Sequence, residues 1–209
     1  MHDMSQRQLI LIRHAESLAN AGFRTSDPGS IPLTELGHEQ AEAAARSLTR
    51  TPTLIISSPM KRAMQTMDAL SKVFPDVPVE IWPVQEFVFL DLRERGAISR
   101  HDRRPLVDAY WAREDPYEQG STPICESFCM FYNRVISFHQ RAASHPTPTL
   151  AVVSHGFFLH ALLYARNRGF PPCTKALMGA IHQASLTGTP ANAEVIQSIR
   201  DLSLPKNTG

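Results

Sequence analysis

The 209-residue chain is 43% hydrophobic and 20% charged, an ordinary globular composition that suits one domain or a domain carrying an insertion. A chain of this length buries a sizeable core without disulfide or metal staples. Its formal net charge of +1 gives no electrostatic case for nucleic acid or a membrane surface as partner, so any basic site must be local.

The first predicted element is QLILI (8–12), a continuous apolar run of strand length that reads as a strand covered on both faces. PLTELGHEQAEAAARSL then gives way to an Ala- and Glu-rich helix from about Glu35 to Leu48. TLIISS (53–58) is a second buried strand, after which Ser58 and Pro59 are expected as the N-cap and first residue of a helix. That helix carries an apolar stripe of Met60, Ala63, Met64, Met67 and Leu70. VEIW (79–82) predicts a third strand. Residues 86–123 break the rhythm. They are rich in Arg, Asp and Pro and hold Tyr110, Trp111 and Tyr117, which predicts an inserted cap rather than a linker. A helix from about Glu126 to Ala142 follows, with Phe128, Phe131, Val135 and Phe138 on one face. TLAVVSH (149–155) predicts a fourth strand, ended by Gly156 and a further helix, and AEVIQSI (193–199) an edge strand. The polar tail SLPKNTG (203–209) is expected to fray. Strands alternating with helices predict an α/β fold with a mostly parallel sheet.

Cys125, Cys129 and Cys173 offer one C-x3-C pair and no second pair to complete a zinc site, so reduced, structural thiols are expected. The N-terminal run LILI is too short for a signal-peptide core, and AVVSHGFFLHALLYA (151–165) falls short of the roughly 18 residues a membrane-spanning helix needs. The expectation is a cytoplasmic protein with no metal and no cofactor.

The polar residues that end the strands carry the chemistry. IRH closes the first strand, SSPMKR follows the second, and VVSHG closes the fourth. Ligands of open α/β sheets bind at the carboxyl ends of the strands. Arg13, His14, Arg62 and His155 are therefore expected to converge. Each alone is an ordinary surface or structural residue; together they describe an anion site, with Arg62 in a helix first turn where free N–H groups also favour an anion.

LIRHAES with Asn20, then PLTELGHEQA, SSPMKRAMQT and VVSHG, in that order over most of the chain, resembles the histidine phosphatase (phosphoglycerate mutase-like) superfamily. The segment CESFCMFYNR (125–134) is a weaker echo of the family. The resemblance implies a three-layer α/β/α sandwich with a mostly parallel central sheet, residues 1–209 forming a single domain with a cap at about 86–123. It implies His14 as the phosphoryl acceptor, Arg13, Arg62 and His155 as its oxygen-binding partners, and Asn20 as a helper. Glu86 in PVQEF falls where the family places its proton donor; Glu16, Asp91 and Glu94 are the other carboxylates to weigh. Ala15 departs from the glycine usual after the nucleophile, and alanine tolerates positive φ poorly.

The residue types suit that chemistry. A neutral imidazole is a good nucleophile near neutral pH, and fixed cationic donors stabilise the charge on three phosphoryl oxygens without a metal. The departing alkoxide needs a proton, which Glu86 can give only while neutral. These features predict a metal-independent phosphomonoesterase acting on a small phosphorylated molecule. The alternatives are a mutase-type phosphotransferase and a non-catalytic phospho-ligand binder. In the cap, Arg103 and Arg104 are candidates for a second phosphate or a carboxylate. The competing reading pairs the cap arginines with Asp91, Glu94, Asp102 and Asp108 on a solvated surface. Oligomeric state is not legible.

Overall fold

A computed structural model describes residues 8–93, 96–120 and 122–200, the last four as backbone. Glu94, Arg95 and the SLPKNTG tail lie outside the described residues. Among the described residues, five strands form one sheet in the order β3-β2-β4-β1-β5. β1 (Gln8–Arg13), β2 (Leu54–Ser57), β3 (Val79–Ile81) and β4 (Thr149–Ser154) run parallel, and β5 (Val195–Arg200) is antiparallel to β1. The fold is the expected α/β sandwich.

The strands read as unbroken apolar runs because both faces are covered. Leu9, Leu11, Leu54, Ile56, Leu150 and Val152 enter one core, while Ile10, Ile12, Ile55, Ala151 and Val153 enter the other. That alternation is the period-two geometry of a strand. α1 (Glu35–Ser47) and α2 (Lys61–Val73) pack together on the second core. α4 (Phe128–Ser144), α5 (Gly156–Arg166) and α6 (Lys175–Gly188) cover the first. Full burial of a Leu, Ile or Phe side chain is worth roughly 1.5–3 kcal/mol, so the two cores hold the sheet firmly.

Caps set the helix starts. Thr34 accepts from Gly37 N–H at α1, Ser127 from Met130 N–H at α4, and Thr174 from Leu177 N–H at α6. The start of α2 differs from expectation. The helix begins at Lys61 with Met60 as an extended N-cap, and Ser58 is not its cap. The Ser58 hydroxyl instead accepts from Met60 N–H at 3.2 Å while touching a histidine ring described below.

Within residues 86–123 lies a further helix, α3 (Arg100–Arg113), which the sequence pattern did not announce. A reciprocal Ser99–Asp102 capping box starts it, and Pro105 sits inside it. α6 was likewise unexpected. Tyr110 is buried and Trp111 packs against the core, whereas Tyr117 is exposed.

The cysteines correct the sequence expectation. Cys129 and Cys173 form a disulfide with Cα atoms 5.8 Å apart, and Cys125 is a buried free thiol. The bond joins the first turn of α4 to the residue just before the Thr174 cap of α6. The sequence reading expected all three thiols reduced, because nothing in the spacing brings Cys129 to a partner 44 residues away; the fold does. Among the described residues, no helix is long and apolar enough to cross a membrane.

Candidate active site

Three loops leave the carboxyl ends of β1, β2 and β4 side by side, and backbone bonds continue the ladder into them. His14 N–H donates to Ser154 C=O at 2.9 Å and Ser58 N–H to Val153 C=O at 3.1 Å. The residues carried there open on a cavity of about 640 Å³ lined in part by Arg13, His14, Arg62 and Glu86.

His14 is only 3% exposed. Its Nδ1–H donates to Ala15 C=O at 2.7 Å, which leaves Nε2 as the lone-pair nitrogen. Arg62 Nε–H donates to that Nε2 at 3.1 Å, and the same guanidinium donates to Pro28 C=O at 2.6 Å. Burial, then the Arg62 and Arg13 charges, hold His14 well below the usual histidine value, so the ring is neutral.

Arg62 is itself lowered to about 10, chiefly by burial, with Glu86 opposing and Arg13 and Arg103 adding to the effect. Arg13 is lowered by burial, and again Glu86 is the leading opposing charge. Both arginines thus face one carboxylate. Arg13 donates to Pro190 C=O at 2.5 Å, while its buried Nε has no partner among the described residues. Gly156 gives that side chain room: a Cβ there would lie 3.3 Å from the Arg13 guanidinium and 2.6 Å from Thr189 Cγ2.

His155 does not line the cavity. Its ring lies 5.0 Å from that of His14, tilted by 56°, and its Nε2 meets Ser58 Oγ at 2.8 Å. Its buried Nδ1 has no partner among the described residues, and burial followed by the Arg62 charge keeps the ring well below the usual histidine value. Asn20 lines the cavity; its Oδ1 accepts from Ser17 N–H and Ser17 Oγ–H, orienting the amide.

Glu86 is held by backbone. It accepts from Phe87 N–H at 3.1 Å and from Phe157 and Phe158 N–H at 3.2 Å each, so a loop carboxylate supplies the α5 N-terminus with the cap that His155 does not. Two of the rival carboxylates are engaged elsewhere, and Glu94 lies outside the described residues. Glu16 accepts from Thr34 Oγ1–H at 2.8 Å, and Asp91 is gripped by Arg93. Ala15 raises no conformational conflict. Its φ is not positive, its methyl is buried in the core, and its N–H donates to Thr66 Oγ1.

The residues match the histidine phosphatase superfamily (branch 1) over 9–190. The chain belongs to that family. A metal-independent phosphoserine phosphatase of Arabidopsis thaliana is 30% identical over 93% of this chain and 77% of its own length. A glucosyl-3-phosphoglycerate phosphatase of Mycolicibacterium vanbaalenii is 44% identical over 68 residues, 32% of this chain. That match spans about 30% of the vanbaalenii relative's length. The solved structure of a mycobacterial glucosyl-3-phosphoglycerate phosphatase complexed with VO3 superposes with a TM-score of 0.68 and 26% identity, covering 91% and 92% of the two chains.

In this member of the histidine phosphatase family, Arg103 and Arg104 part company. Both line the cavity, but Arg104 pairs with Asp108 at 2.7 Å on an exposed face. The Arg103 side chain bonds Thr25 Oγ1 at 3.2 Å, and its buried Nε has no partner among the described residues. Surface pairing therefore accounts for Arg104 and for Arg93 with Asp91, while Asp102 is taken by Arg24. Sequence reasoning counted Arg100 only among the cap arginines and missed His182 and Gln183; all three line the same cavity, from α3 and α6. It also missed Arg134. From α4 that residue pairs with Glu126 and donates to the Pro83 and Gln85 carbonyls, fixing the loop that carries Glu86. No local signal marks such residues, since only the packing of distant helices brings them in. Among the described residues, no group of three or more His, Cys, Asp or Glu is placed to hold a metal.

Proposed function

We propose that this chain is a metal-independent phosphomonoesterase that works through a phosphohistidine on His14, its substrate a small phosphorylated metabolite. The observation that carries the reading is His14 Nε2: a neutral lone-pair nitrogen on a fixed ring, at a cavity lined by the buried Arg62 and the half-buried Arg13. An arriving phosphoryl dianion takes over the Arg62 Nε–H and Arg13 Nε–H is a further oxygen ligand, while His155, held by Ser58, supports the site from behind the His14 ring. Asn20 steadies the same group. His14 Nε2 then attacks phosphorus; the P–N bond forms, the ester P–O bond breaks, and the leaving oxygen takes the proton of Glu86. Charge on the three equatorial oxygens is met by donors already in place, so little reorganisation is required. Water then gives its proton to Glu86 and attacks phosphorus, the P–N bond breaks, and inorganic phosphate leaves.

On this reading the 86–123 segment is a cap within a single domain of residues 1–209, supported by α3 and the Arg103 contact at the cavity wall. The Cys129–Cys173 disulfide weighs against the cytoplasmic location expected from sequence, because thiols there are kept reduced.

The test is hydrolysis of an aryl phosphate in EDTA, with vanadate as inhibitor and His14→Ala as control. The expected result is EDTA-insensitive, vanadate-sensitive turnover lost in His14→Ala, with an acid-labile phosphoenzyme in a quenched wild-type reaction. Activity that requires a metal, or that survives His14→Ala, overturns the mechanism.

A further inference from the structure

The cavity does not end at the arginines; it continues to a wall made by α3 and α6. On that wall the His182 and Trp111 rings lie face to face, centroids 4.0 Å apart and 2° from parallel. Trp111 is itself wedged by edge contacts with Phe87, Phe89, Tyr110 and Phe128. Its partner therefore has a rigid backing. His182 is half-buried and lines the cavity, and Leu186, one turn later on α6, lines it too while remaining 60% exposed. Phe89 and Val107 supply apolar surface to the same cavity.

The geometry points to a ring-binding subsite: the outer face of His182, backed by Trp111, receives a ring in the leaving group of the phosphomonoester. This rests on the reading of His14 as the phosphoryl-accepting end. Several observations favour a ring over an acyclic chain. A stacked, backed imidazole offers a planar face, which gains most from a planar or chair-shaped partner. Burial and the neighbouring Arg104 charge lower the His182 value, with Asp108 opposing, so the face is that of a neutral ring. Gln183 and the Arg104–Asp108 pair line the cavity beside it and offer donors and acceptors to ring hydroxyls or heteroatoms. The volume of about 640 Å³ falls within the range of sites that enclose a drug-sized ligand and exceeds what a phosphoryl group with a three-carbon chain fills. The Cys129–Cys173 bond, just ahead of the α6 cap, ties the helix that presents His182 to α4.

Binding rather than turnover tests this, so that the subsite can fail while the phosphatase reading stands, and the reverse. Benzylphosphonate, cyclohexylmethylphosphonate and propylphosphonate are titrated calorimetrically into wild type, His182→Ala and His182→Phe. Wild type should prefer a ring-bearing phosphonate to propylphosphonate by about three- to tenfold, the scale of one aromatic contact. His182→Ala should abolish that preference and His182→Phe restore it. Preference for the benzyl compound alone assigns aromatic leaving groups; preference shared by the cyclohexyl compound assigns saturated rings such as sugars. A wild type without ring preference, or a preference untouched in His182→Ala, overturns the proposal.

Discussion

Arg62 and His14 share a hydrogen bond in which the arginine Nε–H is donor and the histidine Nε2 acceptor, at 3.1 Å. The acceptor lone pair is the one a phosphoryl group would use, and the donor is one its oxygens would take. In the free protein the two halves of the anion site therefore satisfy each other. A ligand that binds both must separate them, exchanging one charge-assisted bond for several.

The neutral histidines make stability depend on pH in a defined direction. Burial, aided by Arg62, depresses both His14 and His155 in the folded chain. The unfolded chain then binds more protons below roughly pH 6.5, so stability is full above that value and falls as the pH drops toward the folded values. Urea midpoints should decline from about pH 7.5 to 5, with a shallower decline in His155→Asn. If the reaction follows the proposed course, the acidic limb of kcat/KM set by His14 lies below the usual histidine value.

Glu86→Gln separates the two uses of that side chain. The amide oxygen can still accept from Phe87 and Phe158 N–H, which share one carboxylate oxygen, but the amide NH2 cannot accept from Phe157 N–H, so the fold should survive with a loss of about 1 kcal/mol. Proton donation is lost. In single-turnover experiments, phosphorylation of His14 by an alkyl phosphate should slow by about 10²- to 10⁴-fold and by a nitrophenyl phosphate far less, because that leaving group needs no proton, while hydrolysis of the phosphoenzyme slows alike for both. Equal losses of phosphorylation rate on both substrates would remove Glu86 from the acid role.

Gly37→Ala should be strongly destabilising although the residue sits in a helix, where alanine is normally favoured. A Cβ at this position would collide with the Glu16 carbonyl oxygen and press on Leu33 Cβ. The expected loss is about 1–3 kcal/mol or more by urea denaturation, with activity falling because the displaced backbone leads directly from His14.

Breaking the Cys129–Cys173 link by Cys173→Ser, or by a dithiol reductant, should lower stability by about 2–4 kcal/mol, as expected for a bridge closing a loop of tens of residues. Denaturant midpoints with and without reductant check this. Identical midpoints would mean that the thiols are not bonded in solution.

The strands and their polar ends were legible because apolar runs stop abruptly at charged residues, and chain order alone carries those ends to one edge of the sheet. Arg13, His14, Arg62 and Glu86 meet at the cavity for that reason, with His155 behind them. α3 was not legible: Pro105 and its many charges hide the helix, whose start depends on the Ser99–Asp102 box. Nor does sequence distinguish Arg103 from Arg104. Adjacent helical residues point about 100° apart, and only the packed helix decides which meets Thr25 and which meets Asp108. Ser58 read as a cap because serine before proline so often is one; here the hydroxyl serves a histidine.

The pairing of Arg13 with Ser154 across β1 and β4 makes strand register the ruler of the candidate site. Sliding β1 against β4 by one residue would shift the His14 backbone by about 3.3 Å relative to His155 and swap which core each strand side chain enters. A one-residue deletion near Ile10, far from any phosphate, would thus be an active-site mutation. The two hydrophobic cores do more than keep the sheet folded: by refusing the wrong alternation, they proofread the spacing of its two histidines.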